Sequence, residues 1–235
     1  MGRKVLVIQH EADIPLGILA DMLDKHSLEI EIIKAWTEPE QISILVERFL
    51  TADLSKEYVA LIVLGGRANA YAVAEHPYLA QIHRLLPLAL AQEIKVLGIC
   101  LGHQLLTVAM DGEVELSAKA GPEYGRVQLS WSEDLPLELA KWSHVKSVYA
   151  DHADCVSKIP TGAKVLATSN KCVQIMQLGE YGLSVQFHPE VDEHIVRDWQ
   201  RTQEVQLAAE IIADFPKYAA ENAQMCQYLA DWVAG

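Results

Sequence analysis

Two short motifs hold the residues of this chain best suited to covalent chemistry: GICLGHQ at 98–104 and QFHPEV at 186–191. In the first, the apolar run Ile94-Lys95-Val96-Leu97 leads through Cys100 into the helical pattern Leu105-Leu106-Thr107-Val108-Ala109-Met110. A strand that turns sharply into a helix at a nucleophile is an elbow, here with sulfur in place of the serine oxygen. Gly98 and Gly102 permit the tight turn. At a helix N-terminus the dipole and the free N–H groups favour a thiolate, so Cys100 is a candidate covalent nucleophile rather than an ordinary buried thiol. In the second motif, Leu183 to Phe187 reads as a buried strand, and Pro189 steers His188 away from helical backbone. Residues two apart in an extended chain point the same way, so His188 and Glu190 share a face. Histidine moves protons and a neighbouring carboxylate orients its ring and stabilises the imidazolium. Cys100, His188 and Glu190 are therefore the expected triad, and the N–H of Leu101, next after the nucleophile, is the expected first donor to an oxyanion.

The elements that must position these residues follow a regular alternation. Lys4 to Gln9 is an apolar strand, and Leu16, Leu19, Ala20 and Leu23 recur at helical spacing behind Pro15. Strands are expected at 28–35, 58–64 and 94–99, and helices at 40–50 and from Pro77 onward, with Pro87 breaking or kinking the last. Strands alternating with helices imply an α/β fold with a mostly parallel central sheet covered by helices on both faces. Active sites of such sheets lie at the C-terminal ends of strands, where Gly65-Gly66, Cys100 and His188 all fall. After Glu113 the texture changes to short strand-like runs at 126–131, 145–150, 163–168 and 172–178, which predict antiparallel additions. Residues 192–235 carry three apolar helical faces: Ile195, Val196 and Trp199; Leu207, Ala208, Ile211, Ile212 and Phe215; and Met225, Tyr228, Leu229 and Trp232. The expected organisation is a domain over 1–191 with a helical extension over 192–235 packed on it. The extension either covers the core or makes a homodimer contact.

Bulk composition narrows the function. The chain has 235 residues, enough for a sizeable core, and a formal net charge of −13. That charge argues against non-specific nucleic-acid binding and against an anionic membrane surface. No apolar run reaches spanning length and the N-terminus lacks a secretory pattern, so a cytoplasmic protein is expected. Cysteines at 100, 155, 172 and 226 show neither metal-like nor disulfide-like spacing and read as free thiols, three of them packing residues. The histidines form no HxxxH and the cysteines no CxxC grouping, and no phosphate-binding loop is present, so neither metal nor cofactor is expected.

The pair GICLGHQ and QFHPEV, taken with Leu64-Gly65-Gly66-Arg67, Glu123-Tyr124-Gly125, Asp151-His152-Ala153-Asp154 and Cys172-Val173-Gln174 in that order, resembles the class I, triad-type glutamine amidotransferases. The resemblance runs over about the first 190 residues and implies a flavodoxin-like sheet and hydrolysis of the γ-amide of glutamine, or of a related γ-glutamyl compound, through a Cys100 thioester. It places the second oxyanion donor at Gly66, with Gly65 beside it at the substrate. The bland alternative is a tight turn after a strand. Gln104, one helical turn beyond Cys100, suits a zwitterionic glutamyl head because its amide both donates and accepts; the alternative is a bond within its own turn. Asp151, the backbone of Ala153, and Asp154 are implied to meet the substrate's amino-acid end, against the alternative of a polar turn between strands. Arg67 departs from the family, which usually has proline there. It either sets a cation near the mouth and alters the loop or points into water. Gln9 to Gly17 resembles the stand-alone, guanylate-synthetase-like branch. Three functions follow from the resemblance: a hydrolase acting alone, a glutaminase subunit feeding ammonia to a separate synthetase, and a silent binding module. The intact Cys-His-Glu set argues against the last.

Overall fold

The computed structural model describes residues 3–235. The first half is a run of alternating elements: β1 (Lys4–Gln9), α1 (Ile18–Lys25), β2 (Glu29–Lys34), α2 (Pro39–Thr51), β3 (Tyr58–Val63), α3 (Tyr78–Ala91), β4 (Lys95–Ile99) and α4 (Leu101–Ala109). Short strands follow: β5 (Glu113–Glu115), β6 (Glu123–Gln128), β7 (Ser130–Trp131), β8 (Ser147–His152), β9 (Cys155–Lys158), β10 (Ala163–Thr168), β11 (Val173–Leu178) and β12 (Gly182–Val185). The chain ends in α5 (Glu193–Trp199), α6 (Val205–Asp214) and α7 (Ala219–Ala234).

The main sheet has eight strands in the order β2-β1-β3-β4-β12-β11-β10-β7. The first five are parallel and β11, β10 and β7 are antiparallel additions. Side chains alternate across the central strands, and the alternation builds two cores. Val5, Val7, Ala60, Ile62 and Leu97 meet α1 and α7 on one face. Leu6, Ile8, Leu61, Val63 and Val96 meet α2, α3 and α4 on the other. The fold is thus α/β, with a mostly parallel sheet between helical layers, as expected. In α7, Met225, Cys226, Leu229, Ala230 and Val233 are fully buried in the first core, so this helix covers the sheet.

Two expectations need correction. Pro87 lies inside α3 without ending it. Its missing N–H costs one helical bond, while Leu79, Ile82, Leu85, Leu86 and Ala89 all bury against the sheet and hold the helix together. Cys155 and Cys172 are not separate packing thiols but form a disulfide, leaving Cys100 and Cys226 free. Nothing in a separation of 17 residues signals this, because tertiary folding, not local spacing, sets β9 beside the start of β11. No helix among the described residues is long and apolar enough to cross a membrane.

Candidate active site

β4 delivers Cys100 to the top of the sheet at a turn with φ +52° and ψ −103°, a left-handed backbone that few non-glycine residues adopt. The turn is anchored on both sides: the Cys100 N–H donates to the Val185 carbonyl at 2.8 Å, and its carbonyl accepts from the Gln104 N–H at 3.1 Å. A Cβ at Gly98 would strike the Gly102 backbone, and one at Gly102 would strike the Val63 carbonyl, so the elbow needs glycine for close approach.

Beyond β12, His188 and Glu190 come to the same place. His188 Nδ1 and Glu190 Oε1 are 2.7 Å apart, both side chains are buried, and the imidazole lies beside the Cys100 thiol. Burial opposes charge on the imidazole, but Glu190 and Cys100 outweigh it and hold His188 well above the usual histidine range. The ring meets Trp199 edge-on, with centroids 4.7 Å apart. The backbone is held as firmly. The His188 N–H donates to the Tyr149 carbonyl at 2.7 Å. Asn222 Nδ2 donates to the carbonyls of His188 (3.3 Å) and Pro189 (3.2 Å), and Asn222 Oδ1 accepts from the Tyr149 N–H at 3.0 Å.

Cys100 and His188 open on a cavity of about 350 Å³ whose lining includes Gly66, Gln104, Asp151, Ala153 and Asp154. Glu190 lies behind the imidazole, and Gly65 packs against its edge, where a Cβ would sit 2.7 Å from His188 Cε1. A Cβ on Gly66 would lie 2.8 Å from Leu101 Cδ2, so the two backbone segments expected to bind an oxyanion adjoin. Seven of the ten residues singled out in the sequence line this cavity, and Gly65, Leu101 and Glu190 lie directly behind its wall. Gln104 is buried and turns toward Gln186 Oε1 (3.4 Å) and the Asp154 carbonyl (3.5 Å). Asp151 accepts from the Tyr149 hydroxyl at 3.3 Å and lies 3.5 Å from Gln200 Nε2; burial pushes its carboxyl up. Asp154 Oδ1 accepts from the Ser117 N–H at 2.8 Å.

Arg67 does not point freely into water. Its guanidinium bridges Glu11 and Asp13 at the cavity mouth, and its N–H donates to Glu11 Oε1 at 2.8 Å. The cationic side chain thus ties the glycine loop to the segment after β1. Several residues around the triad carry no signal of that role in the sequence. Trp199 reads as one member of an apolar helical face, and Gln186 as part of a strand. Asn222 reads as an ordinary polar residue of the last helix. It is fully buried, and a buried amide must be hydrogen-bonded, which is why it reaches three backbone groups around His188.

Comparison with known proteins agrees with this geometry. Residues 17–195 match the family described as glutamine amidotransferase class-I. The chain is 30% identical to the glutamine-hydrolyzing GMP synthase of Clostridium novyi over 74% of its own length and 30% of that protein's. It therefore spans under a third of that relative. It is 34% identical to a subunit of the glutamine-hydrolyzing GMP synthase of Methanocaldococcus jannaschii, over 58% of this chain and 67% of the relative. The crystal structure of a glutamine amidotransferase from Thermotoga maritima covers both chains fully at a TM-score of 0.80 and 23% identity, which speaks for the fold. A glutamine amidotransferase structure from Methylobacillus flagellatus superposes at a TM-score of 0.79 and 25% identity, over 99% of this chain and 94% of the other.

Proposed function

The chain belongs to the class I glutamine amidotransferase family, and we propose that it hydrolyses the γ-amide of glutamine, or of a closely related γ-glutamyl compound, with Cys100, His188 and Glu190 as its triad. The observation that carries this is the placement of His188, held by Glu190 at 2.7 Å on Nδ1 and lining one cavity together with Cys100.

The reaction runs in two halves. Cys100 Sγ attacks the γ-carbonyl carbon, and charge builds on the carbonyl oxygen. The N–H groups of Gly66 and Leu101 receive it. His188 gives its proton to the departing nitrogen, ammonia or an amine leaves, and a thioester remains on Cys100. Water then enters, His188 takes its proton, and the same oxyanion collapses to release glutamate. Glu190 keeps the imidazole in register and balances its positive charge throughout. Gln104, Asp151, Asp154 and the backbone of Ala153 hold the amino-acid end of the substrate.

Arg67 bears on whether a partner is needed. Its bridge to Glu11 and Asp13 supports an oxyanion loop already fixed in this chain alone. Basal hydrolysis by the purified protein is expected. The name of the Methanocaldococcus relative, a synthase subunit, favours a second use of the same chemistry, the supply of ammonia to a separate synthetase. The test is steady-state glutamate release from glutamine and from γ-glutamyl dipeptides, with a Cys100→Ala control. Turnover that appears only with a synthetase-containing fraction selects the second use. Absence of turnover under every condition, with Cys100 inert to alkylation, refutes the hydrolase and leaves a binding module.

A further inference from the structure

Next in the chain to the segment Asp151–Asp154 lies a second sulfur site. Cys155 follows Asp154 directly and opens β9, and Cys172 directly precedes β11; their Cα atoms are 5.7 Å apart and the side chains are bonded. A ring nitrogen of His152 and the two sulfurs lie within 4.8 Å of one another, and all three residues are buried. His152 Nδ1 is 3.1 Å from the Asp154 carbonyl, which can only accept, so that nitrogen carries the proton. Nε2 lies 3.2 Å from Glu123 Oε2, which likewise can only accept. Glu123 accepts in turn from Gln174 Nε2 at 2.6 Å. The His152 ring thus stands between Glu123, the Asp154 carbonyl and the sulfur pair.

We propose that Cys155 and Cys172 are a reversible thiol–disulfide site, distinct from Cys100, whose oxidised form holds the segment Asp151–Asp154 in the geometry that binds the glutamyl head. The consequence for binding rests on the reading of the cavity given above. Apolar packing at this point is thin: Ala118, Cys155 and Cys172 form a small cluster of their own, apart from the two main cores. Burial alone therefore contributes little here, and a covalent link restricts the alternatives open to the chain it closes. The link acts next to the bonds that shape the cavity wall. The Ala153 carbonyl accepts from the Ala118 N–H at 2.9 Å, Asp154 Oδ1 from the Ser117 N–H, and the Asp154 carbonyl faces Gln104.

The reductant implied is a dithiol. One of its thiolates attacks a sulfur of the pair, the Cys155–Cys172 bond breaks, and a mixed disulfide forms. The released cysteine thiolate takes up the proton that the attacking thiol gave up. The second thiol of the reductant then displaces the remaining cysteine as a thiolate, which is protonated in turn. Two electrons and two protons have moved to the protein, and the reductant leaves as a cyclic disulfide.

The test compares the full chain before and after reduction with dithiothreitol. Thiol alkylation and mass spectrometry count the free cysteines in each state, with two more expected after reduction. Recognition is read as a ratio: the rate at which a γ-glutamyl chloroketone labels Cys100, over the rate for iodoacetamide at the same residue. The ratio separates recognition of the glutamyl head from reactivity of the thiol. Reduction should lower it about fivefold, the low end of ordinary coupling between two sites. The Cys155→Ser/Cys172→Ser variant, and Cys172→Ala alone, should show the low ratio in both conditions. A ratio unchanged by reduction overturns the proposal. So does finding Cys155 and Cys172 open to alkylation after mild oxidation, or an equal redox response in the double variant, which would assign the effect to Cys100 itself. A shifted ratio without any glutamine turnover refutes the hydrolase reading and leaves the thiol site standing.

Discussion

Gly65→Ala should disable the site while changing only sterics. The substitution adds one methyl group and removes nothing. The backbone at 65 is not left-handed, so alanine is allowed there. What the methyl meets is His188 Cε1, at 2.7 Å. This ring atom lies between the two ring nitrogens, one of them held by Glu190. To reach ordinary contact at about 3.4 Å the imidazole or the loop must give by roughly 0.7 Å, in an interior packed as densely as a crystal. The ring has little freedom to give, because Glu190 holds it at 2.7 Å and Trp199 stands against it at 4.7 Å. Misplacement of a reacting group by about 1 Å costs on the order of 100-fold in rate, and crowding a packed site costs about 1–3 kcal/mol of stability. The expected result is a folded protein with kcat down between roughly tenfold and 100-fold and KM changed much less, since the substrate's amino-acid end lies elsewhere in the cavity. Gly66→Ala is the companion: its methyl meets the tip of the Leu101 side chain at 2.8 Å and the buried His10 Cβ at 3.0 Å, so it crowds the loop without touching the imidazole of His188. The assay is steady-state glutamate release at saturating substrate, with a thermal melt of each variant. If Gly65→Ala keeps kcat within about threefold of the parent while remaining folded, the ring is not held as argued and its catalytic placement is wrong.

Other outcomes follow from the same geometry. A glutamine-analogue alkylator should label Cys100 and abolish turnover; labelling at Cys226 with Cys100 untouched, read by peptide mass spectrometry, would sink the nucleophile assignment. His188→Ala should cost more in kcat than Glu190→Gln, because the imidazole transfers protons whereas the carboxylate orients it; equal rates for parent and His188→Ala would refute the triad. Asn222→Ala removes three buried hydrogen bonds and strands their partners, so it should destabilise by about 3 kcal/mol, read as a lower denaturation midpoint; a loss under about 0.5 kcal/mol would show the backbone of His188 to be held by other means. His188 is held above its unfolded value by Glu190 and Cys100 despite burial. Its contribution to stability is therefore complete below about pH 6.5 and is lost as pH rises through the higher folded value. The melting temperature of the parent should fall toward that of His188→Gln on the alkaline side, and parallel curves from pH 6 to 10 would contradict it.

How much of this was legible in the sequence depends on how far each feature reaches along the chain. The elbow at Cys100 is local: glycines, nucleophile, strand and helix all sit within about fifteen residues, and pattern alone locates them. The parallel sheet was legible because its order rests on alternating periods, and the C-terminal strand ends then predict where the cavity opens. The spacing of His188 and Glu190 is local too, but the backbone between them is not the expected strand: β12 ends at Val185, and Pro189 and Glu190 lie in a turn that still brings the two side chains together. What sequence concealed is what folding brings together from a distance. Cys155 and Cys172 meet only because β9 and the start of β11 converge. Asn222 lies 34 residues beyond His188 in sequence yet bonds its carbonyl. Trp199 has the same signature as any core tryptophan on a helix, and its place against the imidazole depends on how α5 returns over the site.

Arg67 shows how a departure from a family pattern is decided by its surroundings. Where the family has a proline to stiffen the glycine loop, this chain has a long, flexible cation. By itself that exchange loosens the backbone, since proline fixes φ and arginine does not. Yet two carboxylates from the segment after β1 converge on the guanidinium, and one of them also accepts the Arg67 N–H, a bond proline cannot make. The side chain is more than half exposed, so the ion pairs by themselves contribute about 0–1 kcal/mol. Their effect on the loop is geometric: four bonds to Glu11 and Asp13 fix the residue next to Gly66. Restraint lost at φ is recovered through side chains, and Glu11 and Asp13 become part of the glycine loop's support although neither lines the cavity.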